Sequence, residues 1–241
     1  MLIQDDTNEQ KIIESSSYKH PDDIESDHHY HRTTHLLCSF VWWTALSLIA
    51  SLLIAAGFWL PYWIQGFYDD DNGSQITTIT FSPFRRCNFP VINNDGNVNI
   101  MFKCIRYEHF DDIPSLSWKL TTLLVGLGVL FSILVALILL FACCMPNALT
   151  SSNTCLLVIV QLLIILVIIT GCIIYPLGWN DQQQQQQQIQ HICGAYNLEK
   201  PFELEKCQPS LSIYLLASGL ILLIICLMFG ICTSRQYRKF F

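Results

Sequence analysis

Four stretches of the chain contain no Asp, Glu, Lys, Arg or His: Leu36–Leu60, Leu120–Cys144, Cys155–Tyr175 and Leu211–Cys232. A helix needs about 20 apolar residues to cross a bilayer core about 30 Å thick, and each stretch meets that condition. The polar residues left over are too few to cover four such helices in water. The pattern therefore predicts an all-α membrane protein, a four-helix bundle with spans at 36–60, 120–144, 155–175 and 211–232. Between the spans the periodicity changes. Ile76–Phe81 is β-branched, Asn94-Asp95-Gly96 is a hairpin signal, and Val98–Ile105 reads as a second strand. The loop 61–119 is thus predicted to hold a small sheet, and 176–210 forms the other long loop.

Composition agrees with this reading. Of 241 residues, 52% are hydrophobic and 13% charged, where a soluble domain carries about a quarter charged. The formal charge of −6 excludes a nucleic-acid binder, which needs a basic face. Eight of the nineteen acids fall within residues 1–35. That tail, rich in Asp, Glu, Ser and His, is predicted to be disordered; residues 36–234 make the four-span domain and 235–241 a short basic tail.

The positive-inside count is nearly balanced, although Arg235, Arg238 and Lys239 at the end of the last span favour a cytosolic C-terminus. Cysteines and a sequon are more informative. Cys87 and Cys104 lie in the first long loop, Cys193 and Cys207 in the second, and Asn72-Gly73-Ser74 is a glycosylation acceptor. No secretory signal precedes the first span, whose flank is long and acidic. Both loops are therefore expected outside the cell and both termini in the cytosol. Trp59, Tyr62, Trp63, Trp118, Trp179 and Tyr214 then fall at the outer interface, with Trp42 and Trp43 at the inner one.

Lipid tails are as apolar as Leu, so spans associate through small residues. Ser47, Ser51 and Ala55 on the first span, and Gly128, Ser132 and Ala136 on the second, recur at a four-residue step and predict a close approach of these two helices. Gln161 is the strongest polar group inside a span and reads as interhelical glue. No ionisable residue accompanies it, which argues against a pump, transporter or voltage sensor. Cys143 and Cys144 at the cytosolic edge are candidates for reversible S-palmitoylation. His28, His29, His31 and His35 sit in a polar tail with no core to fix a geometry, so neither a metal site nor a cofactor is expected. His109 beside Asp111 and Asp112 reads as a solvated turn, and no catalytic constellation has a scaffold.

The four loop cysteines allow three connectivities. A Cys87–Cys104 bridge would tie the two predicted strands and close about 18 residues, contributing about 3 kcal/mol on the chain-entropy model. Cys193 and Cys207 follow the low-complexity run Gln182–Gln188, to which no function is attached, and are expected to bridge each other.

Three motifs carry a resemblance: Pro61-Tyr62-Trp63-Ile64; Phe110-Asp111-Asp112-Ile113-Pro114-Ser115 leading to Trp118-Lys119; and Gly171-Cys172-Ile173-Ile174-Tyr175-Pro176-Leu177-Gly178-Trp179 followed by Ile192-Cys193-Gly194. Together they resemble the lipoma HMGIC fusion partner-like (LHFPL) tetraspan family, a branch of the claudin-like four-span proteins. Ser82-Pro83-Phe84-Arg85-Arg86-Cys87 stands where claudins place Gly-Leu-Trp before their cysteines, which separates the chain from true claudins. The resemblance implies a claudin-like bundle topped by an extracellular sheet, with Cys87 and Cys104 as the loop disulfide. It also implies a plasma-membrane, non-enzymatic accessory subunit whose partner is another integral membrane protein, a channel or receptor, besides the lipid bilayer itself. The alternative is a claudin-like adhesion or barrier protein acting by self-association, with Arg85, Arg86, Lys103 and Arg106 at the contact.

Overall fold

A computed structural model gives the architecture and describes residues 21–69, 76–92, 98–113, 115–145, 151–178 and 207–240. Helix α1 (Pro21–Trp59) is followed by strands β1 (Ile64–Asp69), β2 (Ile76–Phe81), β3 (Arg85–Ile92) and β4 (Val98–Arg106) and a 3₁₀ turn at Phe110–Asp112. Then come α2 (Leu116–Cys144), α3 (Ser151–Leu177), the short strand β5 (Gln208–Pro209) and α4 (Leu211–Phe240). Among the described residues four helices are long and apolar enough to cross a membrane, over Cys38–Trp59, Leu116–Cys144, Ser152–Leu177 and Leu211–Gln236.

The protein is thus a four-helix membrane bundle capped at one end by a small antiparallel sheet. Its helices outrun the apolar stretches where polar flanks can continue a turn. Helix α1 reaches back to Pro21, into the stretch expected to be disordered. Extending an existing helix needs no new nucleus, and Pro with Asp22, Asp23 and Glu25 in the first turns suits a helix N-terminus. Helix α2 begins at Leu116 because Ser115 caps it, the hydroxyl accepting from the Ser117 N–H at 3.2 Å.

The spans are apolar all round, so polarity alone cannot choose which face turns inward. Small and hydroxylated residues choose it: Ala50, Ser51, Thr121, Ser132 and Ala136 are buried, while Leu52, Leu163 and Ile221 stand out toward lipid. The most extensive contact joins α1 to α4, the first span to the last. There the backbones nearly touch. A Cβ added at Gly57 would lie 2.7 Å from the Leu216 nitrogen and 2.8 Å from the Ser212 oxygen. One at Gly219 would lie 2.6 Å from Ile54 Cγ1 and 3.0 Å from the Ala50 oxygen.

Strand order in the sheet is β4-β3-β2-β1-β5, all antiparallel. Strand β2 occupies the β-branched segment predicted from sequence, and the second predicted strand is β4. The intervening β3 carries Pro90 and two arginines, which hide it from a pattern search. The Cys87–Cys104 disulfide therefore ties β3 to β4, where the two residues face each other, and not β2 to β4. Just past Cys87 the ladder slips at a bulge, with Asn88 at φ 53° and its amide donating to the Thr78 carbonyl at 3.0 Å. Asparagine is among the few residues that accept this left-handed conformation readily.

Candidate functional site

The sheet is joined to the bundle by a cluster of three aromatic rings. Trp63, just after α1, meets Tyr175 of α3 edge-on at 4.9 Å, and Tyr175 stacks on Trp118 of α2 at 5.8 Å. All three are buried to about 2% exposure. Trp63 also donates its indole N–H to the Gly57 carbonyl at 3.1 Å. Pro176 sits in the last turn of α3, and Gly178 follows with no side chain, leaving the space that Trp118 occupies. Serines complete the junction. The Ser212 hydroxyl donates to the Leu60 carbonyl at 3.1 Å and accepts from the Tyr62 N–H at 3.2 Å, while the Ser210 N–H donates to the Trp63 carbonyl at 2.9 Å.

This corrects part of the interfacial-aromatic expectation. Trp59, Tyr62 and Tyr214 are exposed, as rings at a membrane–water boundary would be, but Trp63 and Trp118 are core residues. At the other end Trp42 is exposed, whereas Trp43 is fully buried. Its indole donates to the Gln161 side-chain oxygen at 3.0 Å. Sequence position alone could not separate these rings, because successive residues of one helix point about 100° apart and so meet different surroundings. Trp179 lies outside the described residues.

The Trp43–Gln161 bond carries a prediction. Trp43→Phe strips the buried Gln161 oxygen of its donor and is expected to destabilise the bundle by about 0.6–1 kcal/mol. Adding Gln161→Leu to Trp43→Phe should recover most of that loss. A double-mutant cycle read by detergent denaturation checks it; strictly additive single effects would exclude the coupling.

The small-residue positions fall at two interfaces. The Ser51 hydroxyl donates to the Ser132 carbonyl at 3.0 Å, joining the first and second spans. Ser47 and Ala136 are buried and Ala55 is half-buried. Gly128 is oriented otherwise: a Cβ there would run into Ile168 of α3, so this glycine serves the α2–α3 contact. In that same contact the Thr121 hydroxyl donates to the Gly171 carbonyl at 3.1 Å. The backbone-to-backbone approach at Gly57 and Gly219 between α1 and α4 does not follow the four-residue step within one span and was not anticipated.

Above the junction, the sheet ends in an exposed edge. Among the described residues strand β4 pairs only with β3, and its Met101 and Phe102 are 43% and 70% exposed, beside exposed Lys103 and Arg106. The two neighbouring arginines lie flatter. Arg85 rests over the Trp59 and Phe84 rings at 5.2 and 5.4 Å, and Arg86 over Tyr107 at 5.9 Å. Burial pushes the Tyr107 phenol above its usual pKa, partly opposed by the charge of Arg86. His109, Asp111 and Asp112 form a structural turn: Asp112 accepts from the His109 backbone N–H at 2.9 Å, and Asp111 lies 3.8 Å from Lys119.

Cys207 is disulfide-bonded, and Cys193, the residue expected to pair with it, lies outside the described residues, as do Asn72 and Gln182–Gln188. Cys143 and Cys144 are free and exposed at the end of the bundle opposite the sheet, the Cys143 thiol donating to the Thr44 hydroxyl at 3.7 Å.

The residues of the three motifs thus converge in space: Trp63, Trp118, Tyr175 and Gly178 build one junction between bundle and sheet. Across residues 39–235 the sequence matches the family model described as Lipoma HMGIC fusion partner-like protein. The chain belongs to this family. Among its lipoma HMGIC fusion partner-like relatives is the LHFPL tetraspan subfamily member 2a protein of Danio rerio, 25% identical over 206 residues, covering 80% of this chain and 85% of the relative. The four apolar helices agree with the word tetraspan in the relative's name.

Proposed function

We propose that this lipoma HMGIC fusion partner-like protein is a non-enzymatic accessory or assembly subunit of a second integral membrane protein, a channel or receptor at the plasma membrane. The sheet would lie outside the cell and both termini in the cytosol. The exposed edge strand β4 carries the reading. A long edge with large apolar side chains on a disulfide-anchored sheet is a docking strip for another polypeptide, and here it stands clear of the bilayer. The lipid-facing flanks of α2 and α3, with Phe131 and Leu163 exposed, offer the lateral surface for a partner helix. The adhesion alternative asks Arg85 and Arg86 to reach an opposing cell, yet both lie back over aromatic rings.

The test is affinity purification of the protein from native membranes in mild detergent, compared with Phe102→Asp. A channel or receptor should co-purify in near-stoichiometric amount and fall about tenfold with the variant. Recovery of self or junctional proteins alone would move the assignment to adhesion.

Two smaller tests address the topology. Asn72→Gln should abolish a glycosidase-sensitive mobility shift if the sheet side is outside. Hydroxylamine-sensitive acyl exchange should drop in the Cys143→Ala/Cys144→Ala variant if these thiols are cytosolic and acylated, and an unchanged signal clears them.

A further inference from the structure

The turn between β2 and β3 holds a charge arrangement that the fold does not neutralise by itself. Ser82 and Arg85 close a two-residue loop over Pro83 and Phe84: the Ser82 N–H donates to the Arg85 carbonyl at 2.8 Å, and the Ser82 hydroxyl accepts from the Arg85 N–H at 3.1 Å. The loop lays Phe84 on Phe58 at the last turn of α1, 5.0 Å between rings. Arg85 is thereby fixed at the level where the first span leaves the membrane.

Directly opposite it on β4 stands Arg106. Like charges facing each other across a ladder repel. Among the described residues neither guanidinium has a carboxylate within ion-pair distance, and the Arg85 Nε atom is buried without a hydrogen-bond partner.

Beside this pair a cleft of about 250 Å³ opens, lined by Phe58, Trp59, Phe84, Tyr107, Phe110 and Ile113 together with Arg106, Glu108, His109 and Thr122. Its floor is the end of α1 and the start of α2. Trp59 and Phe110 are half or more exposed, as suits rings at a membrane–water boundary. Below, the Phe58 ring packs against α2 at Gly126 and closes the bottom of the cleft with an apolar face.

We propose that this cleft binds one zwitterionic phospholipid from the leaflet on the sheet side. The phosphate bridges Arg85 and Arg106, as guanidinium forks favour. The ammonium end of the headgroup lies between Glu108 and the aromatic faces, a setting that attracts organic cations. The glycerol end and the start of one acyl chain lie against the apolar faces of Phe58, Trp59 and Phe110. Two arginines and one glutamate match a headgroup bearing both signs, and the rings supply the apolar part. The topology proposed above enters only in making this leaflet the outer one.

Native mass spectrometry of the purified protein reads the proposal, after exchange into micelles holding equal phosphatidylcholine, phosphatidylglycerol and diacylglycerol. Wild type should retain one phosphatidylcholine and no diacylglycerol. R85Q/R106Q should lose it by about tenfold, and E108Q should shift preference to phosphatidylglycerol. R85K/R106K keeps the charges but not the forks and should retain an intermediate amount of lipid, between wild type and R85Q/R106Q, and an unchanged unfolding temperature separates lost binding from lost folding. Equal retention by R85Q/R106Q, equal retention of diacylglycerol, or displacement by inorganic phosphate would each overturn the assignment. None of these readouts involves the protein partner.

Discussion

Gly57→Leu is expected to remove most of the protein from the cell surface. The side chain would have to grow into the backbone of α4, since even a Cβ sits 2.7 Å from the Leu216 nitrogen and 2.8 Å from the Ser212 oxygen. Neither atom can swing aside as the end of a flexible side chain could, so the two helices must separate. Over-packing commonly costs about 1–3 kcal/mol, and here the displaced element is a whole helix carrying Ser210 and Ser212, whose bonds stitch α4 to Leu60, Tyr62 and Trp63. A loss above about 3 kcal/mol is expected. Gly219→Leu should behave alike, its Cβ meeting the Ala50 oxygen and Ile54. Gly126→Ala is the control, because its Cβ would meet only the Phe58 ring at 3.4 Å. Surface biotinylation with a detergent-denaturation curve measures all three; normal surface levels for Gly57→Leu would show that α1 and α4 need no such approach.

Cys104→Ser should be the next most damaging change. The bridge to Cys87 spans 17 positions in sequence and joins directly opposed residues of β3 and β4. Losing a crosslink of this loop length costs about 3 kcal/mol on the chain-entropy model. The cost falls on the edge of the sheet, since among the described residues β3 is the neighbour of β4 and none lies on its other side. The bundle should persist while β4 loosens, so the variant is expected to keep its helical circular dichroism but become sensitive to protease between Arg85 and Arg106. Protection equal to wild type would mean that strand pairing alone holds β4. Cys87→Ser should match Cys104→Ser, and Cys87→Ser/Cys104→Ser should be no worse than either.

How legible these features were in the sequence depends on the kind of interaction behind them. The spans could be read because bilayer insertion responds to hydropathy summed over about 20 residues. Strand β2 could be read from its run of Ile and Thr. Strand β3 could not, because its pairing comes from the disulfide and its neighbours, against the preference of Pro90 and the arginines. Strand β1 contains Gly66, and β5 is two residues long; both form because α1 and α4 deliver them side by side. Facing directions were the hardest to foresee. Nothing local distinguishes Trp59, which is exposed, from Trp63, which is core. The same holds for Gly128, whose spacing matched the first span but whose missing side chain accommodates Ile168 of the third. The family motifs succeeded where periodicity failed because they are the positions at which rings and backbone meet across helices.

The pairing of α1 with α4 also bears on how the molecule is made. Chains emerge from the ribosome N-terminus first, and β5 and α4 come last of the described elements. Until they arrive, β1 lacks its outer neighbour and Gly57 faces no partner. A nascent chain halted after α3 therefore displays an unfilled helix face in the membrane and an open strand beside it, both at the same junction. Completion closes the two together through Ser210 and Ser212. Docking of α4 thus conceals the helix face and the strand edge in one step, so the last-made described elements complete the junction that the earlier ones only begin.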